Sequence, residues 1–221
     1  MQGLPSYVSG TSSVPLIGET IGACFDRIAR EHATRDALIV RQQNVRWTYA
    51  ELAERVDRLA ASLLRLGLEP GDRVGIWAPN CAEWALTQFA TAKAGLILVN
   101  INPAYRRSEL EYALTKVGCK ALVLAPSFKT SDYLEILGDI APELAQCAPG
   151  ALAAAKLPEL RHVIRLGMES SPGTHNFDAL LVKASAEERE QLASIGARLQ
   201  FDDPINIQFT SGTTGLPKGA T

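Results

Sequence analysis

The sequence lacks a long apolar run, an excess of either charge, paired cysteines and clustered histidines, and each absence removes a class of function. The longest apolar stretch, GLILVNI at residues 95–101, falls far short of the roughly 20 residues that span a bilayer. The opening MQGLPSYVSGTSSVPL has neither the basic patch nor the apolar core of a secretory leader. With 22 basic and 24 acidic residues interspersed and a net charge of −2, there is no electrostatic footprint for nucleic acid or an acidic membrane surface. Cys24, Cys81, Cys119 and Cys147 form no C-x-x-C pair, which argues against a zinc site or a disulfide framework. They read as reduced core thiols, and the expected setting is cytoplasmic. His32, His162 and His175 are scattered, with no nucleophile or carboxylate at a recognisable spacing, and are expected to be ordinary side chains. No repeat or low-complexity tract is evident.

What is present is a globular balance of 47% hydrophobic and 21% charged residues in 221. The first 18 residues are rich in Gly, Ser and Pro and read as an extended tail. From Thr20 a helical spacing of Ile21, Phe25 and Ile28 runs to about Ala33, followed by strands ALIVR and VRWTY around the turn QQN. Thr48 and Glu51 then make a capping box. They open a helix whose stripe is Leu52, Val56, Leu59, Leu63 and Leu66, up to Gly67.

Two strand–helix pairs and a third strand follow: RVGIWAP with the helix AEWALTQFATAKAG, LILVNI with a helix opened by Ser108 and Glu111 and closed by Gly118, and then the strand KALVLAP. Residues 131–160 read as helical, interrupted by Pro142, Pro149 and Pro158, and RHVIRLG as one more strand. Ser185 and Glu188 cap a helix to about Arg198, and QFDDP is a polar hinge rather than a metal pair at Asp202 and Asp203. INIQF is a half-buried strand delivering Thr210 to its carboxyl end. Alternation of strands and helices predicts an α/β, doubly wound, mostly parallel sheet with helices on both faces and ligands beyond the carboxyl ends of the strands.

The closing run QFTSGTTGLPKGAT concentrates hydroxyls at Thr210, Ser211, Thr213 and Thr214, glycines at Gly212, Gly215 and Gly219, and one cation, Lys218. Gly212 and Gly215 permit positive φ and close backbone approach, so N–H groups can turn inward on an oxyanion while Lys218 adds charge. It is not a Walker A loop, because Pro217 stands where the second Gly is required, and both G-x-G-x-x-G and G-x-S-x-G fail.

In order, FTSGTTGLPKG resembles the signature phosphate loop of the adenylate-forming, AMP-binding superfamily of acyl-CoA synthetases, luciferases and peptide-synthetase adenylation domains. WTYAEL at 47–52 looks like that family's L-T-Y-x-E-L element, and AKAGLILVNINP at 92–103 like its K-A-G-x-x-x-x-P element. NINPAYR together with QFTSGTTGLPKGAT is most similar to the medium-chain fatty acyl-CoA synthetases. The resemblance implies a two-step ligase: a carboxylate attacks the α-phosphate of ATP, giving acyl-AMP and pyrophosphate, and CoA then displaces AMP. It implies that Thr210, Ser211, Gly212, Thr213, Thr214 and Gly215, with Leu216 and Pro217, wrap the β and γ phosphates. Lys218 and Thr213 would be catalytic, Lys218 balancing charge on pyrophosphate, and Mg²⁺ would bridge phosphate oxygens with no metal ligand from the chain. Tyr105, Arg106 and Arg107 are expected in a solvated loop.

The family's later parts, including its small C-terminal lid domain, are not in these residues. The sequence is therefore expected to be an N-terminal part, inactive alone: a tail (1–18), a first α/β subdomain (19–200) and the start of a second carrying the loop (201–221). With a single anchoring strand, residues after about Gly212 are expected to be mobile. The other readings are a non-catalytic nucleotide- or phosphate-binding or interaction module, and an acyl-AMP ligase without CoA transfer.

Overall fold

The structure is a computed structural model that describes Ser13, Val14 and residues 16–210 and 215–221. In chain order, α1 (Ile21–Glu31) starts on Thr20, whose hydroxyl accepts from Ala23 N–H at 3.1 Å. The hairpin β1 (Asp36–Val40) and β2 (Val45–Thr48) turns through Asn44 at φ 53°. The capping box is formed as the sequence requires: Thr48 Oγ1 accepts from Glu51 N–H, and the Glu51 carboxylate accepts from Thr48 N–H at 2.8 Å. It opens α2 (Tyr49–Arg65), whose Leu52, Val56, Leu59 and Leu63 are at most 3% exposed. Burying such a side chain contributes about 1.5–3 kcal/mol, so this stripe holds α2 to the sheet far more firmly than its cap does.

The chain then alternates through β3 (Arg73–Trp77), α3 (Ala82–Lys93), β4 (Ile97–Asn100), α4 (Arg107–Val117) and β5 (Cys119–Leu124). A two-residue ribbon, β6 (Ser127–Phe128) with β7 (Ser131–Asp132), precedes α5 (Tyr133–Ile140). β8 (His162–Arg165), β9 (Thr174–Asn176), α6 (Ala186–Gly196), β10 (Asn206–Thr210) and β11 (Lys218–Ala220) complete it. The main sheet has the order β11-β10-β4-β3-β5-β8-β9, parallel throughout except for the antiparallel β10–β11 pair. α3 carries the chain from β3 to β4, and α4 brings it back across β3 to β5. Right-handed crossovers therefore set these helices on opposite faces. α1, α2 and α6 pack with α3, and α5 packs with α4. The doubly wound expectation is met, and its switch point lies between the carboxyl ends of β3 and β5.

Several local expectations are corrected. The cap of α4 lies two residues earlier than Ser108–Glu111: Arg106 is the N-cap, and Glu109 Oε2 accepts Arg106 N–H at 3.1 Å. An arginine side chain has no acceptor, so only the returning half of the box forms, and Ser108 hydrogen-bonds Glu109 instead of capping. Residues 141–160 are not one interrupted helix. A 3₁₀ turn at Pro142–Gln146 gives way to irregular chain, because each proline removes a helical donor. Leu152, Leu157 and Leu160 are buried all the same, so apolar contact rather than helical hydrogen bonding fixes this stretch. β9 was not foreseen, being three residues with no apolar alternation.

The sequence-predicted tail shows no helix or strand at Ser13, Val14 and 16–18, and residues 1–12 and 15 lie outside the described residues. Among the described residues no helix is long and apolar enough to cross a membrane, and the four cysteines are free.

Candidate active site

β10 lies beside β4 in register, Ile207 against Val99 and Gln208 against Asn100, so Thr210 emerges at the carboxyl edge of the sheet, two strands out from β3. Of the predicted phosphate-binding residues, Ser211, Gly212, Thr213 and Thr214 lie outside the described residues, as does the expected mobility there. The flanks are described. Thr210 pairs with Lys218, Phe209 with Gly219 and Gln208 with Ala220, and Thr210 Oγ1 reaches Lys218 O at 3.4 Å. The expectation of a single anchor is thus corrected: residues 218–220 form a second strand, and both ends of the loop are tied to the sheet.

Two glycines make this closure possible. Gly215 has φ 156°, which side-chain-bearing residues rarely adopt. Gly219 sits so close to its neighbour that an added Cβ would lie 3.2 Å from Ile207 Cγ2. Leu216 is exposed and Pro217 half-buried, and the Pro217 carbonyl accepts the Tyr112 hydroxyl at 3.0 Å. Lys218 is exposed, with no hydrogen-bond or ion-pair partner for its Nζ among the described residues. A cation paired across the strands with the hydroxyl-bearing Thr210 is the beginning of a donor set for an anion.

The neighbouring carboxyl ends form a rigid wall. Trp77, at the end of β3, is fully buried and stacks on Tyr133 with ring centroids 3.6 Å apart. Its indole N–H donates to Asn102 O at 3.2 Å, and the Tyr133 hydroxyl donates to Pro103 O at 2.6 Å. Burial pushes the Tyr133 phenol up to about 12, so it stays a donor at neutral pH. The Asn102 side chain accepts Ala104 N–H at 2.9 Å, closing the turn after β4.

Of the three residues expected in a solvated loop, Arg106 and Arg107 are exposed, Arg107 as the first residue of α4, whereas Tyr105 is half-buried. Tyr105 packs against the core, and burial raises its pKa. The Arg106 guanidinium donates to Ser131 Oγ at 2.7 Å, and Arg107 reaches Asp139 O at 3.0 Å. Asn100, at the end of β4, presents a buried Oδ1 with no hydrogen-bond partner among the described residues, one strand in from β10.

Tyr112 and Asn100 were not singled out from sequence. Tyr112 lies within the apolar spacing of ELEYALTKVG and reads there as a packing residue, while Asn100 reads as the polar end of a strand. The three histidines are partly buried, and two of them meet, which their spacing along the chain did not suggest. His162 Nδ1 and His175 Nε2 are 3.3 Å apart across β8 and β9, at the far edge of the sheet, and burial lowers both pKa values. His32 stays apart from them, beside Tyr49. Asp203 Oδ2 accepts Gln200 N–H at 2.8 Å, which makes QFDDP a turn. No three His, Cys, Asp or Glu side chains converge among the described residues, so these offer no cage for Mg²⁺.

Known proteins match this arrangement. The chain is 49% identical over 217 residues to the medium-chain acyl-CoA ligase ACSF2, mitochondrial, of Macaca fascicularis, covering 98% of this chain and 35% of that protein. It is 37% identical to the putative acyl-CoA synthetase YngI of Bacillus subtilis, over 92% of this chain and 37% of that one. The chain thus spans about a third of the length of these relatives. Among solved structures, acetoacetyl-CoA synthetase from Streptomyces lividans superposes with a TM-score of 0.72 at 26% identity, over 90% of this chain and 29% of that one. The anthranilate CoA ligase AuaEII in complex with anthranoyl-AMP shares the fold, with a TM-score of 0.71 at 22% identity over 93% of this chain and 35% of that chain. The family described as AMP-binding enzyme matches residues 25–221, nearly the whole chain, and the chain belongs to that family.

Proposed function

We propose that the complete protein carrying this chain is an ATP-dependent acid–CoA ligase that adenylates a medium-chain fatty carboxylate and passes the acyl group to CoA. The observation that carries this reading is the glycine- and hydroxyl-rich loop joining β10 to β11 at the carboxyl edge of the parallel sheet, where ligands of such folds bind. The names of the acyl-CoA ligase relatives support the reaction class, and the medium-chain name supports the substrate.

Attack of a carboxylate on the α-phosphate expels pyrophosphate, and negative charge grows on the leaving group. The most effective assistance is fixed positive charge and N–H donors aimed at that group. Lys218, with no partner among the described residues, supplies the charge. Thr210, Ser211, Gly212, Thr213, Thr214 and Gly215 supply hydroxyl and amide donors, with Thr213, like Lys218, a catalytic residue, and Leu216 and Pro217 fix the return of the chain. Hydrogen bonds to a charged phosphate contribute about 1.5–3 kcal/mol each, so three or four suffice for a useful site. In this reading Mg²⁺ is carried on the phosphates of the nucleotide.

The free cysteines suit a reducing compartment. A cytoplasmic site is our reading from sequence, while the vertebrate relatives are named mitochondrial. The test is pyrophosphate exchange into ATP with octanoate. The complete protein is expected to catalyse it and the isolated 221-residue chain is not. No exchange by the complete protein would overturn the ligase reading, and exchange by the chain alone would show that these residues suffice for adenylation.

A further inference from the structure

The geometry points to Tyr112 as a positioning residue that sets where the β10–β11 hairpin carries Lys218, a role that rests on the phosphate-binding reading above. Tyr112 belongs to α4, the helix that crosses from β4 to β5, yet its side chain touches both arms of the hairpin. Its ring meets Phe209 of β10 edge-on, with centroids 6.3 Å apart at 63°. Its hydroxyl donates to the carbonyl of Pro217, the residue before Lys218, at 3.0 Å.

Pro217 has no N–H and a φ locked by its ring, so holding its carbonyl fixes the one remaining soft torsion between it and Lys218. The antiparallel pairing of Thr210 with Lys218 fixes the other side of that residue. Lys218 Nζ has no partner of its own among the described residues, so the backbone alone aims it. β11 is three residues long and exposed throughout, so little else ties it down on its outer side. A one-ångström misplacement of a charged group at a phosphate is costly, which gives a remote hydroxyl its leverage.

The experiment uses the complete protein and equilibrium binding of MgATP, with KM values for ATP and for octanoate read beside it. Tyr112→Phe removes only the hydroxyl. It is expected to weaken MgATP binding and raise KM for ATP by about three- to tenfold, with KM for octanoate and the thermal midpoint unchanged. Lys218→Ala is the reference, and the double variant Tyr112→Phe/Lys218→Ala is expected to bind no more weakly than Lys218→Ala alone, because the hydroxyl acts through the lysine. Additive losses would overturn the positioning role, as would an unchanged affinity in Tyr112→Phe while Lys218→Ala is impaired. If Tyr112→Phe shifts both KM values and the thermal midpoint together, Tyr112 is a packing residue and the inference fails. An unchanged affinity in Lys218→Ala would instead defeat the phosphate-binding reading beneath it.

Discussion

The interior of the sheet and its β10–β11 margin are built from opposite materials. In β3, β4 and β5, Val74, Ile76, Leu98, Val99, Leu122 and Val123 are at most 1% exposed, and every one packs into a single core. At the margin Gln208, Thr210, Leu216 and Lys218–Ala220 are exposed, and among the described residues of β10 and β11 only Ile207 is buried. The interior is packing throughout. The margin contributes little packing and carries the groups proposed above to face the nucleotide. Stability and chemistry are thus separated along one sheet, as expected where binding loops ride on a rigid scaffold.

The hardest test of this division is Trp77→Ala. It removes a fully buried indole, its stack on Tyr133 and its hydrogen bond to Asn102 O. A loss of about 3–5 kcal/mol in denaturant-measured stability is expected. A cost under about 1 kcal/mol would break the view of the carboxyl-edge wall as the scaffold of the site.

Lys218→Ala is the mirror experiment. Stability should move by no more than about 0.5 kcal/mol, because the side chain is exposed, while pyrophosphate exchange should fall about a hundredfold. A comparable drop in stability would show that the margin is structural after all.

Thr48→Ala sharpens the division at a motif shared with the family. Its capping box accounts fully for both Thr48 and Glu51, so about 1 kcal/mol of stability is lost and KM for ATP and acid stays put. A changed KM would give WTYAEL a role that its hydrogen bonds do not suggest.

The smallest effect is expected at the other edge of the sheet. His162 and His175 have pKa values lowered by burial, so the folded state prefers them neutral. Above the ordinary value near 6.5 they cost nothing. As pH falls below it, the unfolded chain takes up protons more readily and stability declines. Thermal midpoints between pH 7.5 and 5 should fall less steeply in His162→Gln/His175→Gln than in the native sequence. An identical slope would remove the pair from the pH response.

The interior was legible because its rules are local and periodic. The Leu52–Leu63 stripe, the alternation in INIQF and the boxes at Thr48 and Ser185 each fix an element without reference to distant residues. The errors fell where a contact far along the chain decides the outcome. Residues 147–160 are held by buried leucines rather than by helix, β9 owes its existence to β8, and His162 meets His175 only across two paired strands. The site was legible as a motif but not as an assembly. Residue order identified the loop, whereas its second anchor at 218–220 and the grip of Tyr112 on Pro217 depend on the sheet that brings them together.

The most direct test of the central claim is equilibrium binding of MgATP to the complete protein and to its Thr213→Ala/Thr214→Ala/Lys218→Ala variant. The loop account predicts measurable affinity in the first and at least a tenfold loss in the second, with an unchanged thermal midpoint. Equal affinities, or no affinity in the native sequence, would contradict it.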